Sequence, residues 1–438
     1  MNHKKYLALA LPLTLSTVTT PLLGAVDTAV VGQLPNPAYI GGVAIGTVIF
    51  NTMYWLFGFL RVSTSGFAAQ AFGADDELEG SLSFIRPFFI ALLIGSVFLI
   101  LQNPIEYAAM TLLNPAADVE ALASEYFQIR IWGVPVTFVN YVILGWLMGM
   151  SRIKAAVLIQ VAMNLLNIVL DVVFVHGLSW GVSGVAAATL IAEVAALVIG
   201  LYAVAKGTTV IIKAPSLKQI FDASAIKKMV AVNQDLFVRT VCLLLVFNMF
   251  TYKSASFGTE TLAANAVLLQ IHYLMAYFFD GFSNASSILS GRAAGSKDYR
   301  LYKKTLFISG QWAIITSIFL TVSYWAISDE IIGLFTNIEE VIGIAGLYSN
   351  WLLLFPISTS LGIIFYGIFT GATETAAIRK SMILSLLFFF AVYFLSVPYY
   401  HNHGLWLAFI AFSAGRSLFL SLYIPKLNNY FLGLNKMK

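Results

Sequence analysis

Three carboxylates stand inside long apolar stretches of the first half of the chain: Asp27, Asp171 and Glu193. A carboxylate in hydrocarbon costs about 2.5–3.5 kcal/mol on insertion scales, so each needs a compensating partner or a task. Asp171 does not stand alone. Gln160, Asn164, Asn167 and Asp171 fall within an arc of roughly 60° on a helix turning 100° per residue. Ser16, Thr20 and Asp27 share a second arc of about 40°, with Gly24 alongside. Two polar stripes facing one another enclose a small pocket with two carboxylates. The proton affinity of such a pair depends on its desolvation and on the charge of its neighbour. It can take a proton from one side of a membrane and release it to the other, or its oxygens can coordinate sodium with help from amides and hydroxyls. The competing reading is that Asp27 and Asp171 are satisfied structural acids near helix ends. Glu193 stands alone near mid-stretch, with both kinds of role open. Asp280 is expected to pair with Arg61, and Asp235 with Arg239 four residues on.

The elements that hold these residues are membrane helices. Of 438 residues, 59% are hydrophobic and 11% charged, against about 25% charged in soluble domains, and the mean hydropathy is +0.84. Twelve spans are predicted, at 6–33, 40–68, 82–104, 124–150, 153–176, 182–206, 228–252, 260–290, 302–326, 344–371, 376–398 and 404–425. Pro12 and Pro21 both lie in the first, where each removes a backbone bond and makes a candidate hinge. With both termini inside, nineteen Lys and Arg fall in inside segments and Lys253 outside, the asymmetry of a multi-pass protein of the cytoplasmic membrane. Away from the loops the reading finds Arg61, Arg239 and Arg416.

A shift of 222 residues superposes the chain on itself: Met53 on Met275, Phe57 on Phe279, Ser65 on Ser287, Gly145 on Gly367 and Gly149 on Gly371. The fold expected is an all-α integral membrane protein with two six-helix lobes related by a parallel repeat. The lobes are 1–206, which couples ions, and 228–438, joined by a cytoplasmic linker at 207–227. Parallel repeats place a cavity between the halves. Under the shift Asp27 lands on Met249, Asn164 on Leu386, Asn167 on Phe389 and Asp171 on Tyr393, so the acids belong to one half and the other offers apolar and aromatic surface. Thr20, Gln160, Asp27, Met249 and Tyr393 are the candidate lining of a substrate cavity.

Other chemistries find little support. The single cysteine, Cys242, permits no intrachain disulfide, His401 and His403 read as a surface pair, and no hydrolase, zinc-protease or phosphate-loop motif is present. No enzyme activity, cofactor or nucleic-acid partner is expected.

The stretch Val26-Asp27-Thr28-Ala29-Val30-Val31-Gly32, Pro12 before it, the Asn164–Asn167–Asp171 stripe and the paired glycine-rich loops after spans four and ten resemble the multidrug and toxic compound extrusion (MATE) family, particularly its DinF branch. Leu23 and Leu144 stand where some members carry tyrosine and asparagine, and Asn140 lies one turn before Leu144. The resemblance implies a monomeric antiporter that exports lipophilic, often cationic small molecules from the bilayer in exchange for protons or sodium. It places ion coupling on Asp27 and Asp171, with Asn164, Asn167 and Thr189 in the same pocket, and bending at Pro12. Proton coupling is the expectation, with a sodium-coupled drug antiporter as one alternative and a lipid-linked oligosaccharide flippase, which would need a cavity rich in Arg and Lys, as the other.

Overall fold

Apolar helices dominate because lipid leaves a backbone N–H no partner outside its own helix. The computed structural model describes residues 1–31, 36, 38–206 and 215–436, and side chains for all of these except 20–29 and 31. The first-half helices are α1 (His3–Val31), α2 (Ala38–Phe57), α3 (Phe59–Gly73), α4 (Glu77–Ile100), α5 (Gln102–Leu113), α6 (Ala117–Arg130), α7 (Val134–Gly149), α8 (Ile153–Asp171) and α9 (Gly181–Ala205). The short α10 (Leu217–Ile220) leads into α11 (Ala223–Ala255), α12 (Thr259–Gly295), α13 (Tyr299–Phe335), α14 (Glu339–Gly371), α15 (Thr375–Ser421) and α16 (Ile424–Lys436).

Among the described residues ten helical runs are long and apolar enough to cross a membrane. Two further crossings complete the twelve. One is α1. The other arises because α15 is broken at His401, whose backbone (φ 49°, ψ −121°) leaves the helix; across the break, Ser396 Oγ donates to the carbonyl of Gly404 at 2.9 Å. The second predicted span is α2 and α3 in series.

The 222-residue repeat is written into the backbone. Left-handed residues recur at Asp75 and Lys297, at Ser151 and Thr373, and at Ser179 and His401. Asp76 and Asp298 each cap a helix, accepting from Glu79 N and Leu301 N at 2.9 Å. Gly145 lies against the Arg61 carbonyl as Gly367 lies against that of Ser283, and Gly149 against that of Ser65 as Gly371 against that of Ser287. No side chain fits between helices that approach this closely, which is why these positions match in sequence.

Two compact units result: Val18–Met229, and Met1–Thr17 with Val230–Lys438. In the first unit α3 and α4 pack on α7, while α9 packs on α6, α7 and α8. The second unit differs from the division at 206 and 228, because the start of α1 belongs to it. Tyr6 OH shares a hydrogen bond with Ser286 Oγ at 2.8 Å, Thr17 Oγ1 donates to the Tyr277 carbonyl at 2.9 Å, and Thr14 covers Gly281. Its core collects Phe250, Phe279, Phe355, Phe389, Trp406 and Phe409 with their aliphatic neighbours. Residues 207–214 of the predicted linker lie outside the described residues. After them α10 docks in the first unit, where Arg86 donates to the carbonyls of Gln219 at 2.9 Å and Ile220 at 3.3 Å.

Candidate functional site

The polar stripe of α8 faces protein. Asp171 (0% exposed), Asn167 and Asn164 are buried and Gln160 is half-buried, whereas Leu158 on the opposite face is 69% exposed. Gln160 Nε2 donates to Asn164 Oδ1 at 3.2 Å. Asn167 Nδ2 donates to Thr189 Oγ1 of α9 at 3.1 Å, and that hydroxyl donates in turn to the Val185 carbonyl at 2.9 Å. Asn167 Oδ1 is buried with no hydrogen-bond partner among the described residues, so one acceptor stays open beside the carboxylate a turn away. The helix changes just after Asp171. Leu178 N donates to the carbonyl of Val173, five residues back, at 2.9 Å. Such widened π-turns concentrate at functional sites.

The stripe thus brings together Asn164, Asn167, Asp171 and Thr189. The side chains of Asp27, Thr20 and Pro21 lie outside the described residues. Tyr393 is buried beside Phe389, their rings 5.9 Å apart, and Met249 is half-buried against the same core of the second unit. Pro12 is half-buried in α1 and precedes the junction between Thr17 and Val18 where the compact units divide.

Glu193 has a partner that the sequence reading did not supply. Arg130, at the end of α6, grips it with two bonds: Nη1 to Oε2 at 2.7 Å and Nη2 to Oε1 at 3.1 Å. Nη2 also donates to Tyr54 OH at 3.2 Å, and the guanidinium lies 5.4 Å from the Phe50 ring centroid. Asn140 Nδ2 completes the group by donating to the Glu193 backbone carbonyl at 2.9 Å. Glu193 sits one turn beyond Thr189 on α9, so this buried pair fixes the helix that carries Thr189. The signal in the sequence was Arg130 itself: an intramembrane arginine implies an acid at its depth. Arg86, also inside a predicted span, pairs with Glu79 at 2.7 Å. The intramembrane arginines therefore extend beyond Arg61, Arg239 and Arg416.

The expected local pair of Asp235 and Arg239 does not form. Asp235 binds Arg379 at 2.6 Å and accepts from Thr375 Oγ1 at 2.9 Å, while Arg239 lies over the Tyr366 ring at 4.0 Å. Arg379 and Thr375 open the helix beside α11 and reach Asp235 directly, which outcompetes a pair along one helix. Asp280 and Arg61 fall in different units. Among the described residues no three His, Cys, Asp or Glu side chains converge on a metal position.

Comparison with known proteins gives a consistent result. The family model MatE matches residues 12–173 and 236–395, two stretches that end 222 residues apart. DNA damage-inducible protein F of Escherichia coli (strain K12) is 36% identical over 414 residues, 94% of this chain and 90% of that protein. The probable multidrug resistance protein NorM of Bacillus subtilis (strain 168) is 21% identical over 377 residues, covering 84% of this chain and 82% of its own length. A solved structure of a multidrug resistance MATE family transporter in an outward-facing conformation matches with a TM-score of 0.89 at 20% identity, over 99% of this chain and 97% of that one.

Proposed function

We propose, from the premise that this chain belongs to the MatE family of multidrug and toxic compound extrusion transporters, that it is a secondary active antiporter exporting lipophilic, often cationic compounds in exchange for protons. The observation that carries this reading is the fully buried carboxylate of Asp171 beside the Asn167–Thr189 hydrogen bond in an otherwise apolar helix pair. A group so placed changes charge only by taking or losing a proton or a cation. Each change alters the cost of keeping it in a low-dielectric site.

The coupling ion in this reading is the proton. A proton needs one acceptor, whereas sodium needs a cage of several oxygens. Thr189 Oγ1 already accepts from Asn167 and donates to Val185, so it has one lone pair to offer beside the open Asn167 Oδ1. Asp27 shares the task from α1, and Asn164 supports the stripe. Export and ion entry alternate because the protonated site and the substrate-loaded cavity exclude each other. Pro12 is the bending point of α1, which contributes residues to both compact units. The protein acts as a monomer in the cytoplasmic membrane with both termini inside, as the nineteen-to-one placement of basic residues supports.

The test is transport in proteoliposomes with ethidium as the probe. Efflux is expected to follow an imposed proton gradient, to be indifferent to replacing sodium by choline, and to fall at least tenfold in Asp171→Asn. Efflux that tracks the sodium gradient, or a wild-type rate in Asp171→Asn, overturns the reading.

A further inference from the structure

The second unit contains a cationic site that the coupling chemistry does not use. Arg239 on α11 and Arg416 near the end of α15 are both half-buried within membrane helices, and among the described residues neither guanidinium makes a hydrogen bond or an ion pair. The acid nearest in sequence to Arg239, Asp235, is committed to Arg379. Arg239 instead lies over the Tyr366 ring at 4.0 Å, and Arg416 lies 5.8 Å from the Phe412 ring centroid.

Four helices bring these groups together. Ser283 Oγ of α12 donates to the Ile363 carbonyl of α14 at 2.7 Å while Gly367 lies against the Ser283 carbonyl, so the two helices run in the same direction and Asp280, one turn before Ser283, falls near the level of Gly362, with Tyr366 one turn further on. Gly362 N donates to Ser417 Oγ at 2.9 Å, which sets the neighbouring Arg416 near the level of Gly362. Arg416 is accordingly within electrostatic reach of Arg239, Asp280 and Tyr366. Among the described residues, two guanidinium groups against the one carboxylate of Asp280 leave one surplus positive charge, bordered by aromatic rings.

An arginine at membrane depth is costly and ordinarily marks a functional contact. A planar guanidinium recognises a carboxylate or sulfonate through two parallel bonds, and gains strength where water is scarce. Stacking on an aromatic ring holds the fork in place without consuming its donors. We infer that Arg239 and Arg416, framed by Tyr366 and Phe412, bind the oxyanion head of an amphipathic acid whose apolar body lies against the aromatic surface of this unit. The inference extends the proposed export to acidic amphiphiles and rests on that reading for its purpose. Equilibrium binding is nevertheless measured without transport, so either can fail while the other stands.

The experiment measures binding of radiolabelled dodecanoate and of dodecyltrimethylammonium, which share a tail and differ in head charge, to the purified full-length protein in phosphatidylcholine nanodiscs. Wild type is expected to bind dodecanoate. Arg239→Gln and Arg416→Gln are each expected to weaken it at least tenfold while leaving dodecyltrimethylammonium binding within about twofold, which also shows that the variants are folded. Arg239→Lys, which keeps the charge but loses the fork, is expected to fall between. Dodecanoate binding that is absent in wild type, or unchanged within twofold in both glutamine variants, overturns the inference. Displacement of dodecanoate by phosphatidylglycerol introduced into the nanodisc assigns the two arginines to a lipid headgroup and likewise overturns the substrate assignment.

Discussion

Asp171 and Glu193 show how differently one bilayer treats two buried carboxylates. Glu193 is neutralised by a two-bond contact to Arg130. Removing one partner of such a pair leaves a bare charge in a dry site, at a cost of about 3–5 kcal/mol, whereas replacing both by apolar groups is close to neutral. Glu193→Gln is therefore expected to lower the unfolding temperature of the detergent-solubilised protein markedly, and Arg130→Met with Glu193→Leu to recover most of the loss. A double variant no better than the single one would show that the pair does more than neutralise itself. Asp171 lies one turn from Asn167, which donates to Thr189. Thr189→Val removes the oxygen that receives Asn167 Nδ2 and should cut proton-driven efflux several-fold, while Thr189→Ser keeps it.

At the scale of the element, glycine decides how helices meet. Gly145 and Gly367 each lie against a backbone carbonyl, of Arg61 and Ser283. A methyl at either forces two packed helices apart, and overpacking of this kind costs about 1–3 kcal/mol. Gly145→Ala and Gly367→Ala should both destabilise, by comparable amounts because the contacts are repeats of one another. Gly310 in α13 has nothing within 4 Å of where a Cβ would stand, so Gly310→Ala should be neutral or slightly stabilising, as the helix gains roughly 1 kcal/mol in propensity. Thermal unfolding of the three single variants checks all of this. The first helix carries a different expectation. Pro12→Ala restores a backbone bond in α1 and should slow turnover without lowering the unfolding temperature. Equal turnover in wild type and variant would remove Pro12 from the transport cycle.

At the scale of the whole molecule, the distribution of basic residues predicts orientation. With Cys242 replaced by alanine, a cysteine introduced at Ser296 should react with an impermeant maleimide only from the cytoplasmic side, and one at Glu339 only from outside. The converse pattern would invert the topology. Much of the architecture was legible before any coordinates. Hydrophobic runs fix helices because lipid permits little else, and the 222-residue repeat fixes their order. Its agreement with left-handed residues at Ser179 and His401, or with glycines packed on equivalent carbonyls, is the same constraint met twice. The stripe of α8 was legible too, since four polar residues at helical spacing can only share a face.

Partners across the sequence were not legible. Arg130 and Glu193 are 63 residues apart, and helical periodicity says which face a residue occupies but not which helix it meets. Asp235 was assigned the arginine four residues away because that contact can be computed along one helix; the fold gave it Arg379 and left Arg239 to Tyr366. Nor could spacing reveal that the first turns of α1 pack through Tyr6, Thr14 and Thr17 in the unit of the second half. The sequence by itself determined a duplicated membrane bundle with a polar, acid-bearing stripe in one half that has no counterpart at Leu386, Phe389 and Tyr393 of the other, because hydration and backbone hydrogen bonding act locally along the chain. Which charges neutralise one another, and which pair of arginines is left over, only the tertiary structure decided, because charge pairing depends on distances that packing sets.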